Sequence, residues 1–154
     1  MKTIITAAVL VFAINTLSAQ KIKEAEVPKA VTESFAKNFP GSKAKEWEKE
    51  KDLFEAEFDL KKVETSATFS ADGKLMETES EIATSALPKA VTEYITKNYP
   101  SYKLSEASKI TDASGKVSYE AEIKKGKEEI DLIFDSNGTF IKKEVEEHDT
   151  KDKD

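Results

Sequence analysis

VPKAVTESFAKNFP, residues 27–40, returns sixty residues later as LPKAVTEYITKNYP, residues 87–100. Nine of the fourteen positions are identical. A second pair of related stretches, FEAEF at 54–58 and YEAEI at 119–123, is separated by 65 residues, so the second copy carries five extra residues between the two motifs. The chain therefore contains two copies of one structural unit.

Each copy begins with the pattern of an amphipathic helix. A proline near its start suits the first turn of a helix, and Pro40 and Pro100 end the pattern. The apolar side chains recur every four residues along one side, at Val27, Val31, Phe35 and Phe39 and again at Leu87, Val91, Ile95 and Tyr99. A stripe of this kind predicts a helix packed on a core.

After each helix the spacing of the apolar residues changes to every second position, which is typical of strands with one buried face. The sequence predicts first strands near 43–50 and 103–111 and last strands near 74–82 and 139–146, with two strands between them in each copy. Asp72-Gly73 and Asn137-Gly138 predict hairpin turns of type I′ at matching places. Each copy is thus predicted to be αββββ.

The predicted fold class is α+β. Two αββββ repeats joined edge to edge would form an antiparallel sheet of about eight strands, with two helices packed on one face. The other side of the sheet would remain uncovered, and we call it the open face. The predicted boundaries are a signal peptide at 1–19, a first repeat at 20–83, a second repeat at 84–147 and a charged, disordered tail at 148–154.

The first nineteen residues have the pattern of a secretory signal: Lys2, an apolar run over 4–17 and the small pair Ser18-Ala19. Cleavage after Ala19, or alternatively after Ser18, would release the mature chain. A membrane anchor is the other interpretation, but the run is shorter than the roughly 20 residues that cross a bilayer. We expect a periplasmic or secreted protein without membrane insertion after signal removal.

Composition excludes several classes of function. The chain has no cysteine, so disulfides, thiolate metal sites, cysteine nucleophiles and lipidated N-terminal cysteines are impossible. Without Lys2 the chain has 23 lysines and 30 acidic residues, a formal charge of −7, and it contains no arginine. This charge disfavours nucleic acid and anionic lipid as partners. No cofactor is predicted.

The sequence also argues against an enzyme. Its single histidine, His148, lies in the predicted tail, and neither a glycine-rich phosphate loop nor a serine elbow is present. Carboxylates at alternate strand positions lie about 7 Å apart on a wet face, with nothing to separate their pKa values.

The candidate site is the open face, where two rows of acids are predicted. Glu55, Glu57 and Asp59 form the first row, and Glu120 and Glu122, joined by Asp131, form the second. Such rows attract a cationic peptide, a basic protein patch or calcium. The alternative is a solvated surface on which the acids pair with lysines.

Trp47, the only tryptophan, has two possible positions. It packs in the core, as large aromatics of small domains do, or it lies on the open face as an anchor for a protein partner.

A family resemblance rests on the motifs WEKE at 47–50, FEAEF at 54–58, DGK at 72–74, Leu87-Pro88, Tyr94-Ile95 and NYP at 98–100. These resemble the PepSY-like, β-lactamase-inhibitor-like proteins exported by Gram-negative bacteria. The resemblance implies a fold similar to a secreted inhibitor that grips an enzyme with the open face of its sheet, and a relation to PepSY modules of protease propeptides and envelope proteins. It implies no catalytic or binding residues.

The functional hypothesis is an exported, non-enzymatic module that binds or inhibits another envelope or secreted protein through its open face, so that the partner is a protein or peptide. The alternative is a cation-responsive or structural envelope protein that holds calcium or a cationic peptide on the acidic rows. A third possibility is that the last strand adds to the sheet of a partner.

Overall fold

The computed structural model describes residues 20–145, which form two α-helices, nine strands and two single-turn 3₁₀ helices at Glu24–Glu26 and Thr84–Ala86. The helices are α1 (Lys29–Asn38) and α2 (Lys89–Asn98). The strands are β1 (Gln20–Ile22), β2 (Ala44–Glu50), β3 (Leu53–Leu60), β4 (Val63–Ser70), β5 (Leu75–Glu81), β6 (Lys103–Asp112), β7 (Val117–Lys125), β8 (Glu128–Asp135) and β9 (Phe140–Val145). The predicted signal peptide and the predicted tail at 148–154 lie outside the described residues.

All nine described strands belong to one antiparallel sheet, and their order in the sheet is their order in the chain. Each strand therefore pairs with its neighbours in sequence, and β5 pairs with β6 to join the two repeats. The predicted α+β class is confirmed. The expected count of about eight strands omitted β1, which has three residues and pairs with β2 through Ile22 and Trp47.

Each helix covers its own half of the sheet. Under α1, the ring of Phe35 contacts the rings of Phe58 and Phe69, with centroid distances of 5.0 and 6.5 Å. Under α2, Val91 and Ile95 pack in a second cluster with Leu132 and Phe134. Because the residues of the two clusters are separate, the repeats share a sheet and not a core.

Trp47 belongs to the first core. Its side chain is 4% exposed, and its ring meets that of Phe35 edge to face at 5.6 Å. Its inclusion among candidate residues of the open face is therefore wrong. The residue lies on the helix side of β2, where it pairs with Ile22 on one flank and Ala56 on the other.

The turns at Asp72-Gly73 and Asn137-Gly138 differ from the predicted type I′. In each pair the glycine has a positive φ, +85° and +82°, whereas the residue before it does not. Gly73 N–H donates to the Ser70 carbonyl at 2.8 Å while Ser70 N–H donates to the Lys74 carbonyl at 3.0 Å. This is the three-residue hairpin in which a glycine bulge follows a type I turn.

Both glycines also contact a helix. A β-carbon added to Gly73 would overlap the carbonyl oxygen of Ala30 in α1, and one added to Gly138 would lie 2.9 Å from the β-carbon of Ala90 in α2. Each hairpin thus packs against the first turn of its own helix, and only glycine fits there.

Candidate functional site

The open face presents acidic side chains from both repeats. Strand register places Glu46 opposite Glu57, Glu48 opposite Glu55, and Glu106 opposite Glu122, so like charges meet across neighbouring strands. Two strand faces in one protein with acids opposite acids are unusual because such pairs repel each other. These cross-strand pairs therefore do not themselves stabilise the sheet, whereas the apolar clusters on the helix side do.

The five acids predicted from the sequence, Glu55, Glu57, Asp59, Glu120 and Glu122, alternate with the buried residues of β3 and β7 and so lie on the open face. The two rows do not meet. They belong to strands four positions apart in the sheet, which corresponds to roughly 19 Å. The space between the rows is occupied by side chains of β4, β5 and β6.

Some of these acids pair with lysines near the sheet margins. Lys45 Nζ lies 2.6 Å from Asp59, and Lys124 Nζ lies 3.1 Å from Glu122. Lys21 of β1 similarly pairs with Glu46. Acids paired with lysines, the alternative that the sequence left open, are therefore found at these positions. The centre of the open face contains more acids than lysines.

Two grooves cross this centre. The first, which we call the acidic groove, has a volume of about 590 Å³ and is lined chiefly by carboxylates, among them Glu57, Glu64, Glu81 and Glu106. The second, which we call the mixed groove, has a volume of about 410 Å³ and is lined by acids together with Leu53, Ile110 and Ile133. Glu79 and Glu120 line both grooves and so mark the boundary between them.

Glu79 of β5 and Glu120 of β7 face each other across β6, close enough for each carboxyl to raise or lower the pKa of the other. Both are half-buried, and the hydroxyl of Ser108 bonds Glu79. Burial raises the pKa of Glu79. Burial, followed by repulsion from Glu79, Asp131 and Glu144, raises the pKa of Glu120 to about 8. Of the two carboxyls, Glu120 therefore keeps its proton at neutral pH.

The chain matches the family described as beta-lactamase-inhibitor-like, PepSY-like, over residues 16–76 and again over 52–142. The protein belongs to this family. Two overlapping matches agree with the two copies seen in the sequence and with the two αββββ units of the sheet. A comparison with curated proteins found no match.

Solved structures share the fold of this PepSY-like protein. A periplasmic protein from Bacteroides eggerthii has a TM-score of 0.68 and 14% identity, over 77% of this chain and 88% of that one. A BLIP-like protein from Bacteroides fragilis has a TM-score of 0.61 and 20% identity, over 80% and 91% of the two chains. At these identities the likeness establishes the fold alone.

The sequence did not identify Glu79, Ser108 or the apolar floor of the mixed groove in this PepSY-like chain. Glu79 and Glu120 are 41 residues apart, and they meet only because β5 pairs with β6. Ile110 and Ile133 are apolar residues on predicted strands and would ordinarily be assigned to the core. The missing signal was the order of strands where the two repeats join.

Neither a metal centre nor a membrane helix is seen within residues 20–145. No group of three or more acidic, histidine or cysteine side chains in that range is arranged to hold a metal ion. No helix there is long and apolar enough to span a bilayer. The carboxylates of the open face are spread along the strands.

Proposed function

We propose that this protein is an exported, non-enzymatic binding module that holds another envelope or secreted protein on its open face. The observation that carries this proposal is the asymmetry of the sheet. Both helices and both cores lie on one side, while the other side presents two grooves lined with carboxylates. An uncovered sheet face with concentrated charge of one sign suits recognition of a partner of complementary charge.

The comparisons support the class of function. The family is described as inhibitor-like, and a structural relative is described as BLIP-like. Periplasmic or secreted location is supported by the predicted signal peptide and by a structural relative described as periplasmic.

A non-enzymatic role is supported by the side chains available. Residues 20–145 contain neither cysteine nor histidine, so a nucleophile activated by either is impossible there. Glu120, whose pKa is raised to about 8, lies beside Glu79, and two neighbouring carboxyls of this kind resemble an acid–base dyad. Hydrolysis of any captured protein should therefore be measured beside its binding, and we expect the captured protein to remain intact.

The test is capture of a partner from native envelope and culture extracts by the mature chain immobilised from Gln20. An open-face variant would carry Glu55→Lys, Glu57→Lys, Glu64→Lys and Glu106→Lys, which leaves the half-buried pair in place. A control variant with the same change in charge would carry lysine at four exposed acids that lie outside both grooves: Glu24, Glu26, Glu33 and Glu93. Circular dichroism would check that both variants fold.

We expect a discrete protein to be retained by the wild type and the control variant and to be lost from the open-face variant. Equal retention by all three chains would contradict the proposal. Retention that requires calcium and disappears with a chelator would replace it with the cation-responsive alternative.

A further inference from the structure

Two isoleucines lie on the open face instead of in either core. Ile110 is opposite Glu79 in the β5–β6 pair, and Ile133 is opposite Glu120 in the β7–β8 pair. Their side chains are 8% and 7% exposed, and both line the mixed groove beside Leu53, which is 39% exposed. The floor of this groove is therefore apolar, although its walls are acidic.

The first repeat shows that the fold does not need these isoleucines. By the 60- and 65-residue offsets between the copies, Ile110 corresponds to Glu50 and Ile133 to Thr68. Polar residues at the same places are thus compatible with an αββββ unit. The apolar floor is a specific feature of the second repeat. Neighbouring side chains already cover most of both isoleucines, and their remaining surface lines the groove together with the exposed Leu53, where an apolar side chain of a partner would be buried.

The walls of the mixed groove determine the charge of its occupant. They carry Glu48, Glu50, Glu55, Glu77 and Glu144 in addition to the central pair, while the lysine of the lining, Lys142, is paired with Glu144. An acidic or neutral occupant would bury carboxylates without compensation, whereas lysine or arginine side chains would neutralise them.

We propose that the occupant of the open face is a basic segment of a partner protein, which lays an apolar side chain on Ile110 and Ile133 and directs a cation to Glu79 and Glu120. This inference rests on the proposed function and names the chemistry of the partner. The apolar contact supplies burial at the centre of the interface, and the surrounding charges select the partner and speed its approach.

The position of the cation has a measurable consequence. The carboxyl pair is faced by Glu55 of β3, Glu77 of β5, Asp131 of β8 and Glu144 of β9, together with the Ser108 hydroxyl of β6. These acidic neighbours favour any positive charge, and in the free protein a proton supplies it. A bound lysine or arginine replaces that proton, so binding releases it to solvent.

Three synthetic nine-residue peptides test the inference by titration calorimetry at pH 7.5. The first has a central leucine flanked on each side by two lysines, the second has serine in place of the leucine, and the third has glutamates in place of the lysines. We expect the first peptide to bind about tenfold more tightly than the second, and the third not to bind.

The matching protein variant carries Ile110→Thr and Ile133→Thr. Threonine is chosen because Thr68 occupies the position of the first repeat that corresponds to Ile133. We expect it to bind the first peptide about tenfold more weakly and the second peptide unchanged. The control is Ile141→Thr, the same substitution at a half-exposed isoleucine outside both grooves. Thermal melting would confirm that each variant is folded.

Titrations in two buffers of different ionisation enthalpy measure the proton. We expect the first peptide to release roughly 0.5 to 0.8 proton per complex at pH 7.5 and Glu120→Gln to abolish the release. A release of zero from the wild type would overturn the placement of the cation. Equal affinity for the first two peptides, or an unchanged affinity in the double threonine variant, would overturn the apolar contact.

The outcomes separate this inference from the function on which it rests. If no peptide binds while capture from extracts still depends on the open face, the partner chemistry is wrong and the proposed function stands. If the first peptide binds as expected while captured proteins are retained equally by the open-face variant, the proposed function is wrong.

Discussion

Replacing Glu120 with glutamine should stabilise the fold at alkaline pH and have little effect in mild acid. Burial raises the pKa of this carboxyl from its usual 4.5 to about 8. The folded state therefore keeps a proton that the unfolded chain releases above pH 4.5. This proton contributes stability that is fully present below pH 4.5 and is lost as the pH rises through about 8. Glutamine preserves a donor toward Glu79 and has no charge to acquire.

The size of the effect follows from the two pKa values. A carboxyl that titrates near 8 when folded and near 4.5 when unfolded makes the protein about 4 kcal/mol less stable at pH 9 than at pH 5. Because Glu120 is only half-buried, solvent screening reduces this figure. We expect the stability of Glu120→Gln relative to wild type to increase by about 2 to 4 kcal/mol from pH 5 to pH 9.

Urea unfolding at pH 5, 7 and 9 measures this difference, with the fluorescence of the buried Trp47 as the signal. Glu55→Gln is the matched control, because Glu55 occupies the equivalent position of the first repeat and lies outside the Glu79–Glu120 pair. This variant should still lose stability between pH 5 and pH 9, because Glu120 is unchanged in it. A stability difference between Glu120→Gln and wild type that stays constant from pH 5 to pH 9 would refute the raised pKa of Glu120.

Three further predictions concern the cores, the turns and the partner. Gly73→Ala should lower the free energy of unfolding by about 2 to 3 kcal/mol, because the new methyl group meets the Ala30 carbonyl. Gly41 has a similar φ but open space around it, so Gly41→Ala should lower the free energy of unfolding by only about 1 kcal/mol. Urea unfolding compares the two variants. Trp47→Ala should cost about 3 to 5 kcal/mol through loss of its contact with Phe35, and a thermal melt followed by circular dichroism that shows no loss would contradict its place in the core. Binding of the captured partner should weaken steeply as salt is raised from 50 to 500 mM, since salt screens charges on an exposed face, and an affinity independent of salt would exclude charge as the basis of selection.

The helices and most strands could be predicted from the sequence because both copies show the same spacing of apolar residues. The spacing of four at Val31 and Phe35 returns at Val91 and Ile95, and the spacing of two in β3 returns in β7. Strand β1 escaped prediction because three residues are too few to show a spacing. Trp47 was ambiguous because a bulge between Ala44 and Glu46 breaks the alternation that would have assigned its side.

Turn propensity located the hairpins at 72–73 and 137–138 correctly but gave the wrong turn type. The one hairpin loop of two residues that both have positive φ is at Lys61-Lys62 in the described chain, with φ of 55° and 72°. Lysine has no preference for this conformation, so the pairing of Leu60 with Val63 in the twisted sheet imposes it. Tertiary structure here overrides local propensity.

The sequence predicted the two rows of acids on the open face. It did not predict that Glu79 and Glu120 lie side by side between the two grooves. Alternation within β3 and β7 is a local property, so Glu55 and Glu120 were assigned to the open face from the sequence. The partner of Glu120 is set by which strands adjoin at the junction of the repeats, and no local pattern contains that information. The apolar floor was hidden for the same reason.

The most direct test is an NMR titration of the isotopically labelled mature chain with the basic leucine peptide. We expect chemical-shift changes to concentrate on β5 to β8, including the amides of Glu79, Ile110, Glu120 and Ile133, while α1 and α2 remain unchanged. Changes confined to the helices, or to the outer edge of β9 as strand addition would produce, would contradict binding on the open face.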